Sequence, residues 1–199
     1  MKSIVEYAVI LLMATVILAV FPTDAEAEIY EDTIRLHILA NSDSAEDQEL
    51  KLEIRNRLLT KYGEMLKASG TIAEAEMTAN DLLPNMEKDA EEWIAELGYG
   101  YSVRATLTQE WYETREYEDF TLPCGYYTSL RVIIGEGEGK NWWCVMYPPL
   151  CMDIATEEAP ADDGIIDYSK EELMLIKSNR YSVKFKILED LSRVFAKNG

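Results

Sequence analysis

The chain has 199 residues and 48% hydrophobic content, enough to fill one ordinary hydrophobic core. With 19 Lys plus Arg against 37 Asp plus Glu, its formal charge is −18; this repels polyphosphates and anionic lipid headgroups and argues against nucleic acid as a partner. A solvated acidic surface accounts for the same charge with no partner at all.

Met1 and Lys2 make a short basic start, Ala8 to Phe21 is an unbroken apolar or neutral run, and Pro22 ends it. A helix of that run spans about 21 Å at 1.5 Å per residue, short of the roughly 30 Å hydrocarbon core, and so matches the apolar segment of a signal peptide. Ala25-Glu26-Ala27 supplies a small-x-small cleavage site. The expected division is therefore a signal peptide over 1–27 and one domain over 28–199. An uncleaved anchor is the alternative, because Tyr7 to Thr23 carries no charge, and both readings export the rest.

Beyond the leader, Ile34, Leu36 and Ile38 alternate on one face of a strand, and Asn41-Ser42-Asp43-Ser44 bounds it. Ser44 is placed to cap a helix with Asp47 three residues on, and Leu50, Ile54, Leu58, Tyr62 and Met65 hold helical spacing to about Lys67. A second helix starts at Thr71 with Glu74 in the capping-box position and runs to Leu97, where Gly98 stops it. Pro84 predicts a break or kink near Leu83. After Gly100 the period changes to two: Tyr101 to Thr108, Tyr126 to Ile134 and Trp142 to Tyr147 read as strands, with one more in Trp111 to Phe120. Ala155 to Gly164 reads as an acidic loop, and Tyr181 to Lys197 as an amphipathic helix. Helices followed by strands without strict alternation indicate an α+β fold, a mainly antiparallel sheet with helices packed on one face.

His37 is the single histidine, so a histidine metal site or a Ser-His-Asp triad has to be built around it. Its neighbours Arg35, Asn41 and Asp43 would make a small polar site at a strand end; otherwise it is a hydrogen-bonded strand histidine on the face opposite Ile34, Leu36 and Ile38. Gly135-Glu136-Gly137-Glu138-Gly139-Lys140-Asn141 lacks the spacing and terminal hydroxyl of a P-loop. It reads as a mobile strand connection or as a partner-binding loop. The second reading draws on Trp142, Trp143, Tyr147, Pro148 and Pro149, a concentration of residue types found in binding hot spots. Asp162-Asp163-Gly164 is out of register for an EF-hand, and no metal or other cofactor is expected. Cys144 and Cys151 flank a segment stiffened by Pro148-Pro149, so export would permit a disulfide between them and leave Cys124 as a buried thiol.

Three stretches together resemble one family: TIRLHILANSD from Thr33 to Asp43, LPCGYY from Leu122 to Tyr127, and LRVIIGEGEGKNWWCVMYPPLC from Leu130 to Cys151. The chain is identified by them as similar to the stage II sporulation protein R family. The resemblance implies an exported signal, made in the forespore and delivered to the septal space between two membranes, that activates a membrane-embedded aspartic protease. That protease matures the mother-cell sigma-factor precursor. No catalytic residue, small-molecule substrate or nucleic-acid partner comes with the resemblance. The residues expected to contact the protease are His37, Asn41, Asp43, Lys140, Asn141, Trp142, Trp143, Tyr147, Pro148 and Pro149. Cys124 stands where the family usually carries a small residue such as alanine, which weighs against a catalytic thiol. Two other readings stay open at this point: a secreted hydrolase using His37 with Cys124 or nearby carboxylates, and a structural spore-envelope protein.

Overall fold

The structure, a computed structural model, describes residues 2–20, 29–117 and 121–148. The expected cleavage site, Pro149, Cys151, the acidic loop and the final amphipathic helix lie outside the described residues. The chain divides into two compact units, one of Met1–Ile29, Trp111–Gly125 and Ser169–Gly199, the other of Tyr30–Glu110 and Tyr126–Tyr168.

In the first unit, helix α1 (Lys2–Val20) carries Ile4, Val5, Ile10, Leu11 and Leu12 with more than half of their surface exposed. Among the described residues no helix is long and apolar enough to cross a membrane. The same unit holds the short antiparallel pair β3 (Arg115–Glu116) and β4 (Thr121–Leu122), so a strand does occur within Trp111 to Phe120, at Arg115–Glu116.

The second unit is a sheet covered on one face by helices. Strand β1 (Ile34–Leu39) leads into α2 (Ala45–Leu58), a π turn over Leu59–Gly63, α3 (Glu64–Lys67) and α4 (Ile72–Glu96); then come β2 (Val103–Tyr112), β5 (Gly125–Ile134) and β6 (Asn141–Tyr147). The order across the sheet is β2-β5-β1-β6. Strand β1 pairs parallel with β5 and antiparallel with β6. Gly135 N donates to Ser102 O at 2.9 Å, so β2 runs against β5. The α+β expectation holds, with one refinement: the sheet is mixed, because β1 is inserted between two strands that come much later in the chain.

The local signals are satisfied as chemistry requires. Ser44 Oγ accepts from Asp47 N at 3.1 Å and Thr71 Oγ1 from Glu74 N at 3.3 Å, each quieting an orphan amide of a first turn. Helix α4 ends in a Schellman turn: Gly98, at φ 87°, donates to Ala95 O, and Tyr99 N donates to Ile94 O. Of the break or kink predicted near Leu83, the break is absent: α4 runs through Pro84. Its face of Ala75, Ala79, Met86, Ala90 and Ile94 is buried, and that packing outweighs the one hydrogen bond the proline removes. Two side chains of α4 also cover the edge of the sheet. Glu91 Oε1 accepts from Val103 N at 3.0 Å and Glu87 Oε1 from Ala105 N at 2.8 Å, closing part of the open rim of β2.

The core lies between sheet and helices. Ile34, Leu36 and Ile38 of β1 with Leu130 and Val132 of β5 face Leu50, Ile54 and Leu58 of α2, all at most 4% exposed. Each such side chain contributes about 1.5 to 3 kcal/mol of burial.

Candidate functional site

Strands β5 and β6 are not neighbours, so their connection, 135–140, has to arch over the C-terminal end of β1. There it meets the β1-α2 turn. Gly139 N donates to Ala40 O at 2.9 Å and Glu138 N to Asn41 O at 3.2 Å. Asn41 Oδ1 accepts from Glu136 N at 3.1 Å, and Asp43 Oδ1 accepts from Lys140 N at 2.7 Å. Lys51 of α2, 3% exposed, donates to Lys140 O at 2.8 Å and to Gln48 Oε1 at 2.7 Å. The glycines answer to this crossing. A Cβ on Gly139 would stand 2.2 Å from Ser42 O, and one on Gly135, at φ 59°, would stand 2.3 Å from Asn41 Oδ1. The glycine-rich segment is a pinned crossover.

Asp47, in the first turn of α2, ties the other side of the corner. Its Oδ2 accepts from Ser42 Oγ at 2.6 Å and from Asn41 Nδ2 at 2.9 Å. The hydrogen bond from Ser42, then that from Asn41, holds its carboxyl below the ordinary carboxylate range.

The sheet separates the two tryptophans. Trp143 lies on the face away from the helices and stacks on its register partner His37, ring centres 5.6 Å apart at 26°. His37 Nδ1 is 2.9 Å from Glu110 Oε2, and Nε2 is 3.0 Å from Asn141 Oδ1. Ser129 Oγ donates to the same Glu110 oxygen at 2.7 Å, and Arg131 lies 3.5 Å from its other oxygen. Burial pushes the Glu110 carboxyl up, but the hydrogen bonds from His37 and Ser129 and the nearby charge of Arg131 outweigh that and hold it low. Ser129 and His37 thus share one carboxylate oxygen. Cys124 is buried in the first unit and forms no disulfide.

Trp142 takes the opposite face. The Arg55 guanidinium of α2 lies over its ring at 4.5 Å, and Asn56 Oδ1 accepts from Arg55 Nε at 2.9 Å and Nη2 at 2.6 Å. The structure therefore gathers His37, Asn41, Asp43, Lys140, Asn141, Trp142 and Trp143 at one end of the sheet. Tyr147 sits at the other end of β6, opposite Ile34, where its hydroxyl donates to Ser69 O at 3.4 Å; Pro148 beside it is buried. Cys144 is a disulfide cysteine. Sequence reasoning missed Lys51, Arg55, Glu110, Ser129 and Arg131. A signal existed for the first two, which share one helix face at i, i+4. Among the described residues no group of three His, Cys, Asp or Glu is placed to hold a metal ion.

The chain is 34% identical over 143 residues to the stage II sporulation protein R of Bacillus subtilis (strain 168), a match covering 71% of this chain and 64% of that relative. The chain thus spans under two thirds of the relative's length. No solved structure matches it. The stage II sporulation protein R family profile matches residues 30–157, more than half of the chain and the whole of the interlocked corner, and the chain belongs to that family.

Proposed function

We propose that the chain is an exported sporulation signal that activates a membrane-embedded aspartic protease, which in turn processes the mother-cell sigma-factor precursor. The observation that carries this reading is the interlocked corner. The two longest family motifs, far apart in the chain, fold into one pinned surface around 41–43 and 140–143, which suits recognition by a partner protein. Helix α1, with its apolar side chains exposed, supports export of the domain that it precedes. In the septal space the corner would meet the protease, and the disulfide expected between Cys144 and Cys151 would brace β6.

Co-expression in a host without other sporulation factors tests the reading. The precursor should shorten only when chain, protease and precursor are all present, and deleting 1–27 should abolish processing. Processing that proceeds equally without this chain, or with the chain held in the cytosol, would overturn the proposal.

A further inference from the structure

The chain carries a charge of −18, and Arg57, Lys61, Lys67, Lys88 and Arg131 each sit in an ion pair with a carboxylate. Three cations at the corner do not. Lys51, Arg55 and Lys140 join no ion pair among the described residues, although acids outnumber bases almost two to one. Lys51 and Arg55 are successive turns of one face of α2, and Lys51 Nζ touches the carbonyl of Lys140. The charges of Lys140 and Arg55 both bear on Lys51, with Asp43 as the counter-charge. The Asp43 carboxylate is itself engaged by Lys140 N, and that of Asp47 by Ser42 and Asn41.

Arg55 is held in a shape that recognises something. Its guanidinium lies over Trp142, and one amide oxygen of Asn56 takes both Nε and Nη2. Nη1 forms no hydrogen bond within the described residues, and the side chain is half-buried. A guanidinium held over an indole, with Nη1 still without a hydrogen bond among the described residues, has the planar donor geometry that a carboxylate matches. The indole offers apolar surface for the methylene stem of an incoming side chain.

We infer that Arg55, Lys140 and Trp142, braced by Lys51, form a receptor site for a single carboxylate carried on an acidic side chain of a partner protein. A phosphate fits less well, because its charge of about −2 meets more repulsion from Asp43 and from the negative field of the whole chain than a single carboxylate does. That the partner is the membrane protease rests on the function proposed above; the preference for a carboxylate does not.

Two experiments separate these claims. In the first, the Trp142 indole N–H and Arg55 Nε–H resonances of the full chain are followed while Ac-Gly-Glu-Gly-NH2, its Gln analogue or inorganic phosphate is added. The glutamate peptide should give saturable shifts and the glutamine peptide none. Arg55→Gln should weaken binding about tenfold, and Arg55→Lys, which keeps charge but loses the fork, should fall between. Equal shifts from the glutamine peptide, tighter binding of phosphate, or unchanged binding in Arg55→Gln would each overturn the site. In the second, Lys140→Glu, at an exposed position that leaves the fold in place, is put through the co-expression assay. Processing should fall about tenfold. Processing at the wild-type level would remove the protease as the partner of this site. If the wild-type chain itself gives no processing, the signalling proposal falls, and the peptide titration decides the carboxylate site alone.

Discussion

At the scale of single residues, two glycines of the chain differ in what they do, and the difference is measurable. Gly98 has φ 87° with nothing within 4 Å of an added Cβ, whereas Gly139 has a backbone oxygen 2.2 Å away. Gly98→Ala should therefore cost only the left-handed backbone, about 1 kcal/mol. Gly139→Ala must push the crossover off Ser42 and should cost about 3 kcal/mol. Urea unfolding of both variants checks the order; equal costs would mean that the crossover is loose. Asp47 supplies a pH-dependent part of the same corner. Its carboxyl ionises in the folded chain below its ordinary 3.8, so its contribution is fully present above that value and fades as the pH falls below it. Asp47→Asn should lose about 2 kcal/mol at pH 7, as buried hydrogen bonds to a charged group do. The variant and wild-type stability curves should converge in acid; a constant gap from pH 7 to 3 would count against the carboxylate's role.

Among the elements, α4 shows tertiary packing overriding a local rule. Pro84 sits at an exposed position inside a helix of 25 residues, where proline costs roughly 3 kcal/mol in isolation. Pro84→Ala restores the amide and removes the clash one turn back, at the expense of a more disordered unfolded chain. A net gain of about 1 kcal/mol is expected, seen as a rise in melting temperature. A fall would show that the proline shapes the face that packs on the sheet. The helices and strands themselves were legible because their signals are local: Ser44 and Thr71 as caps, Gly98 as a stop, Ile34, Leu36 and Ile38 as an alternating face. Of the break or kink expected near Leu83, the break does not occur, because a local signal carries no information about the five buried positions flanking it.

For the molecule as a whole, the disulfide joins composition to compartment. Reductant should add two hydrogens to the mass of the chain, and lower its stability by about 2.5 kcal/mol if Cys144 and Cys151 close the short loop between them. An unchanged mass would remove the bridge. The site was legible only in part. The sequence named His37, Asn41, Asp43 and the Lys140 to Trp143 run, since those residue types stand out against apolar strands. It did not show that Trp142 and Trp143 serve opposite faces, one on Arg55 and one on His37. Nor did it show that Glu110 reaches His37 across 73 residues or that Lys51 reaches Lys140 across 89. Periodicity, caps and the acidic balance are written in neighbouring residues, so the α+β class and the element order followed from the chain alone. The insertion of β1 between β5 and β6 depends on which distant strands share hydrogen bonds. That pairing, decided by burial of one apolar face against α2 and α4, is what turns two separate motifs into one surface.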